Sequence, residues 1–182
     1  IVGGYDSSIF INDKKIIKSK IGFCSAFYDR KNPALIISLI KLRKDLDFVI
    51  LGKDWHKYSK YNELKSLSNL TIYEELDYKI YPKIYASMKI FISTSFEEGG
   101  PIPLLEAMSC GALPVVSNKG FAVDVIKNGI NGFLFDPNIN KHELSKILDH
   151  ALNFKLTYKQ NLIQYNWKNY SHNLNKAINE KK

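Results

Sequence analysis

Short, almost continuously apolar segments alternate along the chain with longer segments in which apolar residues recur at helical spacing. Such apolar runs are typical of strands buried on both faces, and apolar residues three and four apart are typical of helices. The apolar runs predict strands over residues 21–24, 48–52, 70–73, 90–93, 113–116 and 132–135. The periodic segments predict a helix that begins at Asn32-Pro33 and further helices over residues 56–67, 82–88, 103–109, 121–127, 141–152 and about 157–179.

Strand–helix alternation of this kind predicts an α/β fold with a doubly wound, Rossmann-like parallel sheet and helices on both faces. We expect this domain to cover residues 20–155. Residues 1–19 are polar and basic, and are predicted to be a connector rather than part of the core. Open α/β sheets bind ligands at the carboxyl ends of their strands, so the loops after the first four predicted strands are the first candidates for a site.

The composition is that of an ordinary globular domain of 182 residues, 45% hydrophobic and 24% charged. The net charge of +8 is carried almost wholly by lysine, because Arg30 and Arg43 are the only arginines. Two interpretations stay open: an anionic partner, such as a phosphorylated ligand or an anionic membrane, or a lysine-rich proteome. No arginine-rich element, aromatic ribonucleoprotein motif or zinc knuckle is present, so we expect no nucleic-acid binding.

The cysteines, the histidines and the lengths of the apolar runs further restrict the class of protein. Cys24 and Cys110 are too few for a disulfide framework, and the four histidines show no metal-ligand spacing. Two reduced cysteines suit a cytoplasmic protein. No apolar run approaches the roughly 18 residues that a membrane span needs. The chain begins at Ile1, and we expect it to be part of a longer polypeptide.

Residues 93–111 carry the most chemistry, because they read as a strand end, a glycine loop and a helix. Gly99 and Gly100 lack a Cβ, so their backbone amides can approach a ligand closely. The free amides and positive dipole end of the helix that follows favour an anion, and a diphosphate fits there.

Two glutamates flank this predicted anion site. Glu98 precedes the helix and Glu106 lies about one turn inside it, which separates them by at most roughly 12 Å. One carboxylate can then hold each end of a nucleotide sugar, because carboxylates accept hydrogen bonds from sugar hydroxyls. The alternative is a charged loop followed by a solvated helix residue, and a bare pair of glutamates favours that alternative.

The whole segment resembles the signature of family-4 glycosyltransferases, which are retaining enzymes of the GT-B fold. That signature is a glutamate, seven residues and a second glutamate followed by Ala-Met-x-x-Gly, and its glutamates here are Glu98 and Glu106. Residues 128–135 look like the family's NGxNGxLF element, and residues 85–92 like its YASADVFV element. Residues 4–10 resemble the start of its C-terminal domain. The resemblance covers nearly the whole chain in the family's order.

The resemblance implies a role for each residue at a matching position. Glu98 is the candidate catalytic residue, in contact with the donor sugar near the reacting carbon. Glu106 is expected to bind the ribose hydroxyls and Lys31 the diphosphate. The other predicted donor-binding residues are Arg30, Gly99, Gly100, Pro101, Ile102 and Tyr73. Tyr73, at the end of a strand, either stacks on the base or serves only in packing.

The family generally works without a metal, so the resemblance implies no metal and no cofactor, and a UDP- or GDP-linked sugar as substrate. Lysine, arginine and the helix dipole then stabilise the leaving nucleoside diphosphate. One departure from the family concerns an arginine that is expected where this chain has Ala26. Arg30 either replaces it or is a solvated loop residue.

The resemblance also implies a place in a larger enzyme. The chain corresponds to the C-terminal, donor-binding half, with residues 1–19 as the connector from an N-terminal acceptor-binding half and residues 156–182 as a helix that packs back toward it. The expected activity is sugar transfer to an acceptor hydroxyl in cell-surface glycan or polysaccharide synthesis, with the isolated domain inactive. The expected location is the cytoplasm, with an anionic surface of the inner membrane as a candidate partner. A degenerate donor-binding module without transfer activity is the alternative.

Overall fold

The computed structural model describes residues 3–155 and 162–180, and a parallel sheet lies at its centre. The strands are β1 Lys20–Cys24, β2 Phe48–Gly52, β3 Leu70–Glu74, β4 Met88–Ser93, β5 Leu113–Ser117 and β6 Phe133–Phe135. The helices are α1 Pro33–Leu42, α2 Tyr61–Lys65, α3 Tyr81–Ser87, α4 Ile102–Ser109, α5 Ala122–Val125, α6 Lys141–Asn153 and α7 Trp167–Asn179.

The strand order is β3-β2-β1-β4-β5-β6, and every neighbouring pair is parallel. The predicted doubly wound sheet is therefore confirmed. The order reverses between β1 and β4, because β1 pairs with β2 on one side and with β4 on the other. In open α/β sheets the crevice at such a switch point is where ligands bind.

Apolar side chains cover both faces of the sheet, as the continuous apolar strands predict. Successive residues of a strand point to opposite faces: Phe91 lies in a core cluster with residues of α3, α4 and α5, whereas Ile90 and Ile92 lie in a second cluster with α1, α2 and α6. The start of α1 is also as predicted, since the Asn32 side chain accepts a hydrogen bond from the Leu35 amide and Pro33 occupies the first position.

Two predicted helices are shorter in the structure. Residues 56–67 were predicted as one helix, but form a 3-10 turn at Trp55–Lys57 followed by the short α2. The apolar residues of that segment recur every three positions, which suits a 3-10 turn and drifts off one face of an α-helix. Residues 121–127 give only α5, because the Asn131 side chain donates to the Val125 carbonyl and accepts from the Lys127 amide.

The expectation that residues 1–19 lie outside the core is wrong. Tyr5 and Phe10 are buried, and Phe10 packs edge-on against Tyr85 of α3. Lys18 donates to the carbonyls of Ala86 and Cys110, at the ends of α3 and α4. Its lysines are confined to residues 14–18, whereas Phe10 lies in the apolar run Ile9-Phe10-Ile11, which was a usable signal for burial.

The N-terminal segment pairs with the residues at the start of α7. The Tyr5 amide donates to the Tyr165 carbonyl at 3.0 Å, and the Trp167 amide donates to the Tyr5 carbonyl at 3.2 Å. Of the helix predicted over residues 157–179, the structure gives a 3-10 turn at Ile163–Tyr165 and then α7, while residues 156–161 lie outside the described residues.

Candidate functional site

The loops that follow β1 and β4 are tied together at the switch point. The backbone N–H of Phe96 donates to the Arg30 carbonyl at 2.8 Å, and the Thr94 hydroxyl donates to the Lys31 carbonyl at 2.8 Å. These two bonds fix the main chain that carries both cations, so the short 3-10 turn Asp29–Lys31 faces the glycine loop.

Glu98 lies at the centre of this junction and is held by three side chains. Its carboxylate forms an ion pair with the Lys31 ammonium and accepts a hydrogen bond from the Ser95 hydroxyl at 2.7 Å. Arg30 Nη1 lies 3.9 Å from its second oxygen. The side chains of Glu98 and Lys31 are only 8% and 16% exposed, whereas that of Arg30 is 48% exposed. Arg30 Nη1 also donates to the Glu97 carbonyl at 3.4 Å, and the guanidinium lies 5.8 Å from the centroid of the Tyr28 ring.

Glu98 also borders the carboxyl end of β5. It lines a narrow cleft together with Ser93, Ser117 and Lys119. Gly120 has φ +56, and a Cβ there would lie 2.6 Å from the Glu98 carbonyl, so the loop after β5 packs directly beneath this part of the site.

The glycine loop presents its amides to solvent in an open position. The amides of Gly99 and Gly100 donate to no other residue within the described ranges. A Cβ at Gly99 would meet nothing within 4 Å, and its φ lies outside the left-handed region. Nothing in the described part of the fold therefore requires glycine at position 99, and the space in front of it is large enough for a ligand to approach.

The expectation of free amides at the start of α4 is wrong. Pro101 and Pro103 have no N–H, the Ile102 amide donates to the Gly100 carbonyl at 2.8 Å, and the Leu104 amide donates to the Pro101 carbonyl at 2.9 Å. The donors that this part of the site leaves open to an anion are the loop amides of Gly99 and Gly100 and the side-chain cations. The helix contributes its dipole but no free donor of its first turn.

Glu106 is buried in the second turn of α4, with 3% of its surface exposed. One carboxylate oxygen accepts a hydrogen bond from the Tyr78 hydroxyl, and the other accepts from the Tyr85 hydroxyl at 3.0 Å. Burial raises the pKa of Glu106 above its ordinary value, and the two tyrosine hydrogen bonds oppose that shift. The carboxylate therefore faces the loop between β3 and α3, and Tyr78 lies between it and solvent.

Sequence reasoning missed Tyr78 and Tyr85 as neighbours of the predicted site. Tyr85 belongs to the segment that resembles the family's YAS element, which was a usable signal. Tyr78 lies at the end of the loop that follows β3. The aromatic residue predicted to contact the base was instead Tyr73. That residue lies within β3, 37% exposed, at the edge of the sheet beyond β2.

In residues 3–155 and 162–180, no group of three or more His, Cys, Asp or Glu side chains is arranged to hold a metal ion. Within the same ranges, none of the helices combines the length and the hydropathy that crossing a bilayer requires. Cys24 and Cys110 are both free thiols, and burial raises the pKa of each to about 12.

These features define a class: a Rossmann-like α/β domain whose switch point combines cations, open amides and two carboxylates. The sequence matches the family described as "Glycosyl transferases group 1" over residues 6–170. The chain therefore belongs to the group 1 glycosyltransferases.

Two curated relatives illustrate this membership. The chain is 39% identical over 74 residues to the O-antigen chain mannosyltransferase B of Escherichia coli, which covers 38% of this chain and 19% of that enzyme. It is 29% identical over 158 residues to the glycogen synthase of Clostridium acetobutylicum, which covers 81% of this chain and 32% of that enzyme. The chain thus spans a third or less of the length of these relatives.

Solved structures share the fold. The apo lipopolysaccharide outer core galactosyltransferase WaaB superposes with a TM-score of 0.75 at 20% identity, over 99% of this chain and 55% of WaaB. The C-terminal domain of LpcC, a group 1 family protein from Francisella tularensis, gives 0.71 at 21% identity, over 94% of this chain and 98% of that domain. Anabaena HepE in complex with UDP-glucose gives a TM-score of 0.67 at 19% identity, over 82% of this chain and 46% of HepE.

Proposed function

We propose that this chain is the donor-binding half of a retaining, family-4 glycosyltransferase of the GT-B type. The enzyme transfers a sugar from a nucleoside diphosphate to an acceptor hydroxyl. The observation that carries the proposal is the ion pair of Lys31 with Glu98 at the switch point, beside the open amides of Gly99 and Gly100. This arrangement offers a cation and open N–H groups to a diphosphate, and a carboxylate to the sugar linked to it.

In this proposal each group of the site contacts one part of the donor. Lys31, Arg30 and the loop amides bind the diphosphate, because cations and open N–H groups stabilise negative charge. Glu98 accepts hydrogen bonds from the donor sugar. Glu106 accepts from the ribose hydroxyls.

The donor is UDP- or GDP-linked. HepE supports a uridine donor, since that structural neighbour holds UDP-glucose. The first turn of α4 separates Glu106 from the loop amides that we propose bind the diphosphate. This separation is consistent with the ribose on one side of the phosphates and the sugar on the other.

The chemistry requires charge stabilisation at the leaving group. The anomeric carbon forms a bond to the acceptor oxygen as its bond to the diphosphate oxygen breaks, and the acceptor proton is released. Negative charge grows on the departing diphosphate, where Lys31 and Arg30 supply positive charge without a metal ion. Attack on the same face as the leaving group retains the configuration at the anomeric carbon.

The acceptor site belongs to an N-terminal half in this proposal. The described part of α7 buries none of its residues, and Trp167, Leu174 and Ile178 are 47%, 39% and 54% exposed along one side of it. An apolar stripe of this kind needs a partner surface. We assign that surface to the N-terminal half, and expect the chain alone to bind nucleotide but to transfer little or no sugar.

The biological setting follows from charge and relatives together. A net charge of +8 favours contact with an anionic membrane surface. The O-antigen mannosyltransferase and the lipopolysaccharide galactosyltransferase are named for cell-surface glycans. We therefore propose synthesis of a cell-surface glycan or polysaccharide at the cytoplasmic side of the membrane.

A degenerate donor-binding module is the second candidate, and Ala26 favours it. The family arginine expected at that position is absent, and Arg30 lies 3.9 Å from Glu98 with about half of its side chain exposed. If Arg30 does not reach the diphosphate, donor binding is weaker by the energy of a charge-assisted pair, about 2 kcal/mol.

Saturation-transfer NMR with a panel of UDP- and GDP-linked sugars tests donor binding directly. We expect the ribose and sugar protons of one donor to receive saturation from the chain, and Lys31→Met to abolish that signal. Absence of saturation for every donor would support the degenerate module. For the full enzyme, the coupling constant of the product's anomeric proton decides whether configuration is retained or inverted.

A further inference from the structure

The side chain of Tyr78 stands between solvent and Glu106. The residue is 46% exposed, yet its hydroxyl points inward and donates to one oxygen of the buried Glu106 carboxylate. A tyrosine at the surface satisfies its hydroxyl in water without such a contact, so the inward bond is specific to this carboxylate. The ring consequently acts as a cover over one half of Glu106.

A buried tyrosine donates to one carboxylate oxygen of Glu106, and a half-exposed tyrosine donates to the other. Tyr85 is fully buried in α3 and donates to the inner oxygen at 3.0 Å. Tyr78 lies on the 3-10 turn Tyr78–Ile80 that joins β3 to α3, and donates to the outer oxygen. The inner bond is therefore part of the core, and the outer bond can open by movement of one exposed side chain.

Two neighbouring rings contact the Tyr78 ring. Its centroid lies 5.4 Å from that of Phe10, in an edge-on arrangement, and 5.3 Å from that of Tyr81. Opening the cover breaks the hydrogen bond to Glu106 and disturbs these ring contacts. The turn itself is fixed by the Asp77 side chain, which accepts from the Lys79 amide at 2.9 Å, so the ring can rotate without unfolding it.

We propose that Tyr78 is an affinity-determining residue of the donor site, whose hydroxyl occupies the place on Glu106 that a ribose hydroxyl of the donor takes. Donor binding then replaces the Tyr78–Glu106 hydrogen bond with a ribose–Glu106 hydrogen bond. This inference rests on the proposed function, because it needs a ribose to reach Glu106. It adds that the chain's own phenol competes for the same oxygen.

The test is calorimetric titration of UDP and GDP into wild-type chain, Tyr78→Phe and Tyr81→Phe. Tyr78→Phe removes the competing hydroxyl and keeps the ring, so we expect the tighter-binding nucleotide to gain roughly tenfold in affinity, the value of one hydrogen bond to a charged group. Tyr81 is the matched control, because its ring touches Tyr78 but its hydroxyl makes no hydrogen bond to Glu106 among the described residues. Tyr81→Phe leaves the affinity unchanged.

A second ligand tests whether the gain in affinity depends on the ribose hydroxyls. The 2′,3′-dideoxy form of the same nucleoside diphosphate has no ribose hydroxyl at these positions, so its affinity gains less from Tyr78→Phe than that of the ribose form. Equal or weaker binding of the ribose form to Tyr78→Phe would overturn the inference, as would the same gain for both ligands. If the wild-type chain binds neither UDP nor GDP, the proposed function itself fails, and the inference with it.

Discussion

The ammonium group of Lys31, after β1, pairs with the carboxylate of Glu98, after β4, across the point where the strand order reverses. Glu98 carries a second restraint from the Ser95 hydroxyl, and both charged side chains are mostly buried. The two residues are 67 positions apart, so the fold rather than the local chain brings them together. This is the pair that we propose lies beside the diphosphate and the sugar of the donor.

Replacing Lys31 by Met leaves Glu98 without its closest countercharge. We expect the free energy of unfolding to fall by about 1–2 kcal/mol, because an unpaired, mostly buried carboxylate is costly while Arg30 and Ser95 partly compensate. Lys41→Met is the matched control, since its ion pair with Glu63 is exposed and contributes little to stability. Urea unfolding measures both variants. Equal losses in the two would contradict the importance of the Lys31–Glu98 pair.

Gly99→Ala separates ligand contact from folding. A Cβ at this position meets no atom of the described chain, so we expect stability to stay unchanged or rise by up to about 1 kcal/mol. Affinity for the nucleoside diphosphate should fall roughly tenfold, because the methyl group blocks close approach to the loop amides. Thermal unfolding and calorimetric titration of the same sample measure the two effects.

Gly120→Ala gives the opposite pattern and serves as the comparison for Gly99. At φ +56, with a Cβ 2.6 Å from the Glu98 carbonyl, an alanine there is strained, and we expect a loss of about 1–2 kcal/mol in unfolding free energy. If Gly99→Ala lost as much stability as Gly120→Ala, position 99 would be structural and its assignment to a ligand would be wrong.

Arg30→Ala tests whether this residue replaces the arginine absent at Ala26. The guanidinium is half exposed, so we expect the unfolding free energy to change by less than about 0.5 kcal/mol. Nucleoside diphosphate affinity should fall roughly tenfold, and less so at high salt, where screening already weakens the contact. A variant that binds as tightly as wild type would show that Arg30 is a solvated loop residue.

Burial raises the pKa of Glu106, which makes stability depend on pH. The folded chain holds this proton at pH values where the unfolded chain has lost it, so the contribution to stability is present below the unfolded value of 4.5 and is lost as pH rises through the folded value. Glu106→Gln removes the titrating group and keeps its volume.

The expected result is a melting-temperature difference between Glu106→Gln and wild type that shifts in favour of the variant as pH rises from about 4 to 8. Scanning calorimetry across that range measures it. A difference that stays constant with pH, or that shifts toward wild type, would mean that tyrosine hydrogen bonding outweighs desolvation at this carboxylate.

The sheet could be predicted from sequence because most strands are nearly continuous apolar runs bounded by turn residues. The prediction over residues 56–67 was wrong because an apolar repeat of three was taken as helical. The absence of free amides at the start of α4 could have been predicted, since Pro101 and Pro103 have no N–H. The prediction relied on the glycine loop and on the helix dipole alone.

Other features depend on contacts that no local pattern contains. The partners of Glu106 are 28 and 21 positions away in the sequence, on the far side of a strand. Phe10, from the N-terminal segment, packs edge-on against the rings of both tyrosines. Sequence reasoning placed Glu106 on the correct helix, but the tyrosines that hold its carboxylate follow only from the tertiary structure.

Calorimetric titration of UDP and GDP shows directly whether the switch point binds a nucleoside diphosphate. We predict saturable one-to-one binding of one nucleotide, with a dissociation constant on the order of micromolar. Lys31→Met and Glu106→Ala should each weaken it strongly, and the surface control Lys41→Met should not. No saturable binding of either nucleotide, or binding that survives both site substitutions unchanged, would contradict the claim.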